Sequence, residues 1–537
     1  MALKLYNTMG RKLEDFKPVH EGFVGFYGCG PTVYNYAHIG NLRAYVFLDV
    51  LDKSLSFLGY KIKHVMNITD VGHLTGDGDD GDDKMKKSAE ERHQSVLEVA
   101  KFYTDAFMKD IDALNIRHPD VICKATDHIQ EMIDLIKQIE ANGHTYMAGG
   151  NLYFDISTYP DYGKLANLNV EELKAGAGKR KVVVVDQNKR NPGDFVLWFT
   201  KSKFEDQAMT WDSPWGRGYP GWHIECSAMS MKYLGKHIDI HTGGIDHIPV
   251  HHTNEIAQSE GSFDEAERAK GPWVKYWLHN EFLILEGGKM SKSSGHFITL
   301  QTPLPAEKGF SLKDKGFEPL DYRFFLLGGH YRKQLVFSME ALASAKNGRA
   351  ALYARVAKLI KAANEKKLWQ NYKELGISEL TEENYKAALD YYNNPKNHTK
   401  TAIEARCVDA FRVALEDDLS TPRALAALNE EISLKITGNE AVALGNVDYM
   451  DRVLSLDIIK NAFKLLKEQA ALNNTSDNAS DSHAGDPEAE EINALVQERT
   501  AAKKAKNFAR ADEIRNQLAE RGITIIDTPT GPAWKRN

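Results

Sequence analysis

Two short segments carry side chains suited to handling phosphate. His38-Ile39-Gly40-Asn41 follows an apolar N-terminal stretch, and Lys289-Met290-Ser291-Lys292-Ser293 follows the pair Gly287-Gly288. Gly40 lets backbone approach a phosphate closely, and a helix beginning just beyond it favours an anion at its N-terminus. His38 can hydrogen-bond a phosphate as charge shifts. Lys289 and Lys292, on a loop loosened by glycine, suit a clamp whose charge counts most in a transition state. Asp246, two residues after Gly244, is a candidate acceptor for ribose hydroxyls.

These residues need elements to position them. Phe23-Val24-Gly25-Phe26-Tyr27 reads as a buried strand that ends at Gly28-Cys29-Gly30-Pro31. A helix follows from about Asn41, then a second strand over 60–68. This unit opens a doubly wound sheet, whose ligands bind beyond the carboxyl ends of the strands. Residues 122–212 break the pattern and read as an insertion. The sheet resumes with His237-Ile238-Asp239-Ile240-His241. The chain is mostly helical over 341–472, with a helix start at Ser420-Thr421-Pro422. Residues 473–491 hold almost no large apolar side chains and read as a flexible linker. Phe508, Ala511, Ile514 and Leu518 then keep helical spacing, and a short strand is expected over 523–527.

Composition sets outer bounds. The 537 residues require several domains. The net charge of −7 excludes a globally basic nucleic-acid binder, so any such contact rests on local patches. Residues 492–537 form one, with nine Lys/Arg against five Asp/Glu. The four cysteines, Cys29, Cys123, Cys226 and Cys407, are widely spaced and make no disulfide framework. No apolar leader or membrane-length run occurs, so a cytoplasmic protein is expected. The acidic run over 76–83 misses the spacing of a calcium loop and reads as solvated.

His38-Ile39-Gly40-Asn41 resembles the HIGH signature and Lys289–Ser293 is a complete KMSKS signature, the pair that marks class I aminoacyl-tRNA synthetases. Asn41 stands where that family has its second histidine; it can donate a hydrogen bond but carries no charge. Four further segments resemble the cysteinyl-tRNA synthetase family: Tyr27-Gly28-Cys29-Gly30-Pro31-Thr32-Val33-Tyr34, Asn67-Ile68-Thr69-Asp70, Gly221-Trp222-His223-Ile224-Glu225-Cys226-Ser227-Ala228-Met229 and His251-His252-Thr253-Asn254-Glu255-Ile256-Ala257-Gln258. The ending Asp527-Thr528-Pro529-Thr530-Gly531-Pro532-Ala533-Trp534 matches as well, so the resemblance spans nearly the whole chain.

The resemblance implies an ATP site comprising His38, Gly40, Asn41, Gly244, Asp246, Lys289, Met290, Ser291, Lys292 and Ser293, with Mg2+ accompanying ATP. Of these, His38, Asn41, Lys289 and Lys292 would be catalytic. It also implies one zinc ion on Cys29, Cys226, His251 and Glu255. Two thiolates, an imidazole and a carboxylate make a reasonable zinc set, and His251 and Glu255 share a helix face at i, i+4. His252 is a rival to His251. Cys29, Thr69, Trp222 and His241 would surround the amino acid. Packing separates cysteine from serine only weakly, by about 1–3 kcal/mol, whereas a zinc–thiolate bond discriminates directly.

The implied architecture is α/β. A Rossmann-like doubly wound parallel sheet (1–121 and 213–300) is split by a connective insertion (122–212). A stem-contact region (301–340), a helical bundle (341–472), the linker (473–491) and a small mixed α/β anticodon-binding domain (492–537) follow. The implied partners are tRNA(Cys), ATP and L-cysteine, with no membrane, and the resemblance implies a monomer. Arg510, Arg515 and Trp534 are the candidate tRNA contacts in the tail, Trp534 by stacking on an unpaired base. Relatives in thiol biosynthesis that join cysteine to an amino-sugar are the alternative.

Overall fold

The computed structural model describes residues 2–71, 84–168, 186–201, 209–285, 297–397, 400, 402–433, 439–482, 488–505, 507–528 and 531–536. Lys289, Met290, Ser291, Lys292 and Ser293 and the acidic run over 76–83 lie outside the described residues. The chain divides into two compact units. One comprises residues 1–351, 393–435 and 445–456, the other 352–392, 436–444 and 457–537. The expected bundle is therefore shared between the two.

The first unit opens with an antiparallel hairpin, β1 (Lys4–Asn7) with β2 (Lys12–Asp15). Then come β3 (Val24–Gly28), α1 (Ile39–Phe57), β4 (Ile62–Ile68), α2 (Lys84–Arg92), α3 (Val96–Ala113), β5 (Val121–Lys124) and α4 (Ile129–Ala141). An antiparallel sheet of β6 (Thr145–Ala148), β7 (Asn151–Phe154), β8 (Phe195–Phe199) and β9 (Tyr219–Pro220) interrupts. The main sheet resumes through α5 (Trp222–Leu234), β10 (Ile238–Gly244), α6 (His251–Gly261) and β11 (Val274–Asn280).

The main sheet is parallel throughout, in the order β11-β10-β3-β4-β5. All five residues of β3 are buried, as a strand covered on both faces requires. The chain winds outward from β3 to β5 and then returns to place β10 on the other side of β3. The order reverses there, which opens a crevice between the carboxyl ends of β3 and β10. The interruption differs from the expected 122–212. Residue 122 falls inside β5, and β9 extends the antiparallel sheet to Pro220. Apolar runs of similar length form both sheets, so periodicity alone could not separate them.

Beyond β11, β12 (Leu283–Leu285) pairs in parallel with β15 (Leu335–Phe337), and β13 (Phe297–Thr299) with β14 (Gly309–Ser311). Helix α7 (Pro319–Leu327) lies between them in sequence.

In the second unit a helix spans Ile458–Ser482, running through half of the expected linker, and helix resumes over Ala489–Lys504. The first of these buries Ile458, Ile459 and Ala462 near its start. The tail adds a helix over Phe508–Glu520 and a hairpin of Ile523–Thr528 with Gly531–Arg536. Its core is Ile492, Val496, Ile514, Leu518, Ile523 and Trp534. No helix among the described residues is long and apolar enough to cross a membrane.

Asp110 on α3 is buried, and among the described residues Gln301 Nε2 donates to its Oδ1 at 3.3 Å. Burial pushes its carboxyl up to about 6, against the partly offsetting hydrogen bond. The fold thus favours the neutral acid, and this position loses stability as pH rises from 3.8 through about 6. Asp110→Asn is neutral at every pH. It is expected to stabilise by about 2 kcal/mol at neutral pH, raising Tm by a few degrees, and to match the wild type near pH 4. Thermal melts of both proteins at the two pH values check this.

Candidate active site at the sheet switch point

A cleft of about 650 Å³ opens beyond β3 and β10. Cys29, His38, Gly40, Asn41, Thr69, Trp222, Cys226, Gly244, Asp246 and His251 all line it. Chain segments far apart in sequence therefore meet at the crevice that the strand order creates.

The two sides of the cleft are held by backbone. Cys29 N–H donates to Thr242 O at 3.3 Å, and Gly30 N–H to Asn67 Oδ1 at 2.8 Å. Gly30 admits no side chain, since a Cβ there would meet Asn67 O at 1.6 Å.

Helix α1 begins at Ile39, with His38 as its N-cap. His38 Nδ1 accepts from Asn41 N–H at 3.1 Å, and Asn41 Oδ1 accepts from His38 N–H at 3.2 Å. This reciprocal box gives Asn41 a structural task that needs no charge. With Nδ1 accepting, the neutral ring presents Nε2–H as its donor. Asp246 is exposed at the cleft, in the short turn that follows β10.

One ligand atom each from Cys29, Cys226, His251 and Glu255 lies within 4.8 Å of the others. Cys29 comes from the end of β3, Cys226 from α5, and His251 and Glu255 from successive turns of α6. A second set, Cys29, His241, His252 and Glu255, meets the same distance limit. In that set both nitrogens of His252 are engaged. Nδ1 is 2.7 Å from His279 Nε2, and Nε2 is 3.5 Å from Cys29 Sγ.

Glu255 is fully buried. His241 Nε2 donates to its Oε2 at 2.7 Å. Its Oε1 is ion-paired with His251 Nε2 at 2.6 Å. Burial alone would raise this carboxyl, but His251 and His241 outweigh it and hold the group well below the usual carboxylate range. Burial likewise opposes a charge on His251, but Glu255 and Cys226 outweigh that and raise it to about 10. Cys226 is lowered to about 6, chiefly by a hydrogen bond from Cys29, whose own thiol burial pushes well up.

Without a metal, these shifts favour a proton on Cys29 and on His251 and a negative charge on Cys226 and Glu255. A divalent cation that displaces the two protons would leave the net charge unchanged. This set of two sulfurs, an imidazole and a buried carboxylate fits a zinc ion.

The structure places His241 differently from the expected cysteine contact. It is completely buried beneath Glu255 and does not line the cleft. Its ring stacks on Trp277, with centroids 4.7 Å apart. Burial and the partnership with Glu255 occupy it as a support. Thr69 does reach the cleft, its hydroxyl donating to Glu225 Oε2 at 3.0 Å. Trp222 lies against His251, ring centroids 4.5 Å apart.

Sequence reasoning passed over His223, His247 and His279. His223 Nδ1 is 2.8 Å from His251 Nδ1, so it orients that ring. His247 is lowered to about 4, first by burial, and so stays neutral beside His251. The crowding of histidines at 241, 247, 251 and 252 was a readable signal.

In the tail, Trp534 is not presented for stacking. It is buried, and its indole N–H donates to Asn493 Oδ1 at 2.8 Å. So small a module needs its largest apolar side chain for a core. The exposed aromatic is Phe508, 63% accessible at the start of its helix. Arg510 is ion-paired with Glu498 and Glu513, each at 2.8 Å, and Arg515 is exposed.

Comparison with known proteins now decides the family. The family described as tRNA synthetases class I (C) catalytic domain matches residues 15–347, and the cysteinyl-tRNA ligase anticodon binding domain matches 487–534. The cysteine--tRNA ligase of Treponema denticola is 55% identical, with all of both chains covered. The chain belongs to the cysteinyl-tRNA synthetase family. It is therefore a ligase. The Treponema pallidum member of the family is 44% identical, again over all of both chains. Among solved structures, Mycobacterium tuberculosis methionyl-tRNA synthetase bound by methionyl-adenylate is similar in fold. Its TM-score is 0.51 at 15% identity, covering 84% of this chain and 94% of that one.

Proposed function

We propose that this chain activates L-cysteine with ATP to cysteinyl-adenylate and transfers the cysteinyl group to the 3′ end of tRNA(Cys) in the cytoplasm. The observation that carries the reading is the convergence of Cys29, Cys226, His251 and Glu255 on one point of the cleft whose rim holds His38 and Asn41. A zinc ion held by those four residues would supply a Lewis-acid partner for the substrate thiol, which a serine hydroxyl would not match.

The other residues then have defined work. The start of α1, with His38 Nε2–H, binds the ATP phosphates. Asp246 accepts from the ribose. Trp222 walls the amino-acid side chain, Thr69 contacts its polar groups, and His241 holds Glu255 in place. Lys289 and Lys292 stabilise the charge that builds as the cysteine carboxylate attacks the α-phosphorus and pyrophosphate leaves, with Mg2+ accompanying ATP. The tRNA hydroxyl attacks the activated carbonyl next, without a covalent enzyme intermediate. The anticodon-domain match and the full-length relatives favour tRNA over a small amine as acceptor. Phe508, with Arg515 nearby in sequence, is the stacking aromatic of the tail.

Transfer of labelled cysteine to tRNA with ATP, run beside serine, tests the whole reading. Base-labile label from cysteine alone is expected; exchange of pyrophosphate without transfer would favour the small-amine ligase.

Three variants test its parts. Lys292→Ala should slow adenylate formation on the order of 100-fold while cysteine affinity stays within about threefold, and near-wild-type turnover would sink the assignment. Elemental analysis should find one zinc per chain, falling to a small fraction in Cys226→Ala; a fully active metal-free enzyme would overturn the discrimination argument. Phe508→Ala should raise KM for tRNA on the order of tenfold and leave ATP–pyrophosphate exchange intact.

A further inference from the structure

Arg43 sits on α1, two residues after Asn41, and is buried at 5% exposure. Among the described residues it has no carboxylate ion-pair partner. Its guanidinium spends its donors on backbone instead. Nη1 donates to Phe282 O, and Nη2 to Lys333 O at 2.5 Å and Tyr331 O at 3.4 Å. Glu281 acts on it through space without pairing, and a planar fork serves where several acceptors must be held in fixed relation.

The acceptors say what is held. Phe282 immediately precedes β12, the strand from which the chain enters the KMSKS segment. Tyr331 and Lys333 lie just before β15, the partner of β12. The same junction is tied twice more without Arg43, by Glu281 N–H donating to Tyr331 O at 2.8 Å and Leu335 N–H donating to Phe282 O at 3.2 Å. One turn along α1 from Arg43, the Phe47 ring stacks on Tyr331, centroids 4.5 Å apart. Where the chain re-enters the described residues, the Phe297 ring packs edge-on against His38 at 5.6 Å. Both flanks of the signature segment are thus referred to α1, the helix whose N-terminus carries His38 and Asn41.

We infer that Arg43 is a positioning residue for amino-acid activation: it fixes the base of β12, the strand that leads toward the KMSKS signature in sequence, to the HIGN helix α1. The inference rests on the adenylation reading proposed above. Arg43 touches no substrate in this role. It acts through Phe282, and the step it serves is the one in which charge builds between the two signatures. Misplacement of such groups by about 1 Å can cost on the order of 100-fold in rate. Binding of cysteine, on the other side of the cleft, draws on none of its contacts.

The test is cysteine-dependent ATP–pyrophosphate exchange on the full-length chain, with zinc content and Tm measured alongside. Arg43→Met is expected to lower kcat about 30-fold or more, with cysteine KM within about threefold and zinc content unchanged. Arg43→Lys should fall between the two, because an ammonium offers donors but cannot span both segments. Combined with Lys292→Ala, Arg43→Met should cost much less than it does alone, since both losses fall on one interaction.

Wild-type kcat in either single variant would overturn the inference. So would a cysteine KM that rises in step with the loss of kcat, or full multiplicative loss in the double variant. If Arg43→Met yields no folded protein, Arg43→Lys and its combination with Lys292→Ala decide by the same criteria. Absence of exchange in the wild type would sink the adenylation reading itself. Normal wild-type exchange with unaffected variants would sink only the role of Arg43.

Discussion

A carboxylate cannot stay ionised in a protein interior unless cations or strong donors face it, since an unpaired buried charge costs several kcal/mol. Glu255 is fully buried and meets that condition through His241 on one oxygen and His251 beside the other. Much of the surrounding structure follows from this requirement. His241 has to lie within β10, beneath the cleft, to reach Oε2. Without a metal, Glu255 and Cys226 overcome burial and favour a proton on His251. His223 fixes the far side of the His251 ring, while His252 and His279, driven neutral by burial, pass a hydrogen-bonded chain on to the Thr8 hydroxyl.

That arrangement is possible only because of the strand order. The donors arrive from the end of β3, from α5 and from α6. Nearly two hundred residues separate Cys29 from Cys226, and the antiparallel sheet over 145–220 is one part of that stretch. Two parallel neighbours wound in opposite senses leave a crevice at their carboxyl ends, and elements of both halves open into it. The cluster is an outcome of topology as much as of residue choice.

The same unit anchors α1 from the opposite end. Arg323 and Asp49 are both fully buried and pair at 2.5 Å, and Arg323 also donates to Leu454 O at 2.6 Å and Leu114 O at 2.8 Å. Lys53 adds bonds to Asp49, Asn115 O and the Ser455 hydroxyl. Helix α1 is therefore held at its N-terminal turn by the capping box, next by Arg43 and further along by this ion cluster. A helix so fixed can serve as the reference for phosphate-binding groups, because it has few ways to shift.

The sequence by itself determined the family and the broad fold. The two signatures, the Cys/His/Glu set and the alternation of buried strand and helix were legible because they depend on residue type and short spacing. The strands at Val24–Gly28, Ile62–Ile68 and Ile238–Gly244 and the helix after His38 fall where local pattern placed them. What only the tertiary structure decided depends on distance in space. His241 moved from substrate contact to support, because a strand residue's neighbours come from other strands and helices. Trp534 moved from surface to core, because a tail of this size must bury what apolar bulk it has. The linker became helix over its first half, in continuation of the helix that buries Ile458, Ile459 and Ala462 near its start. Arg43 carried no signal at all in the sequence: its partners are backbone carbonyls some 240 to 290 positions away, which no side-chain pattern records.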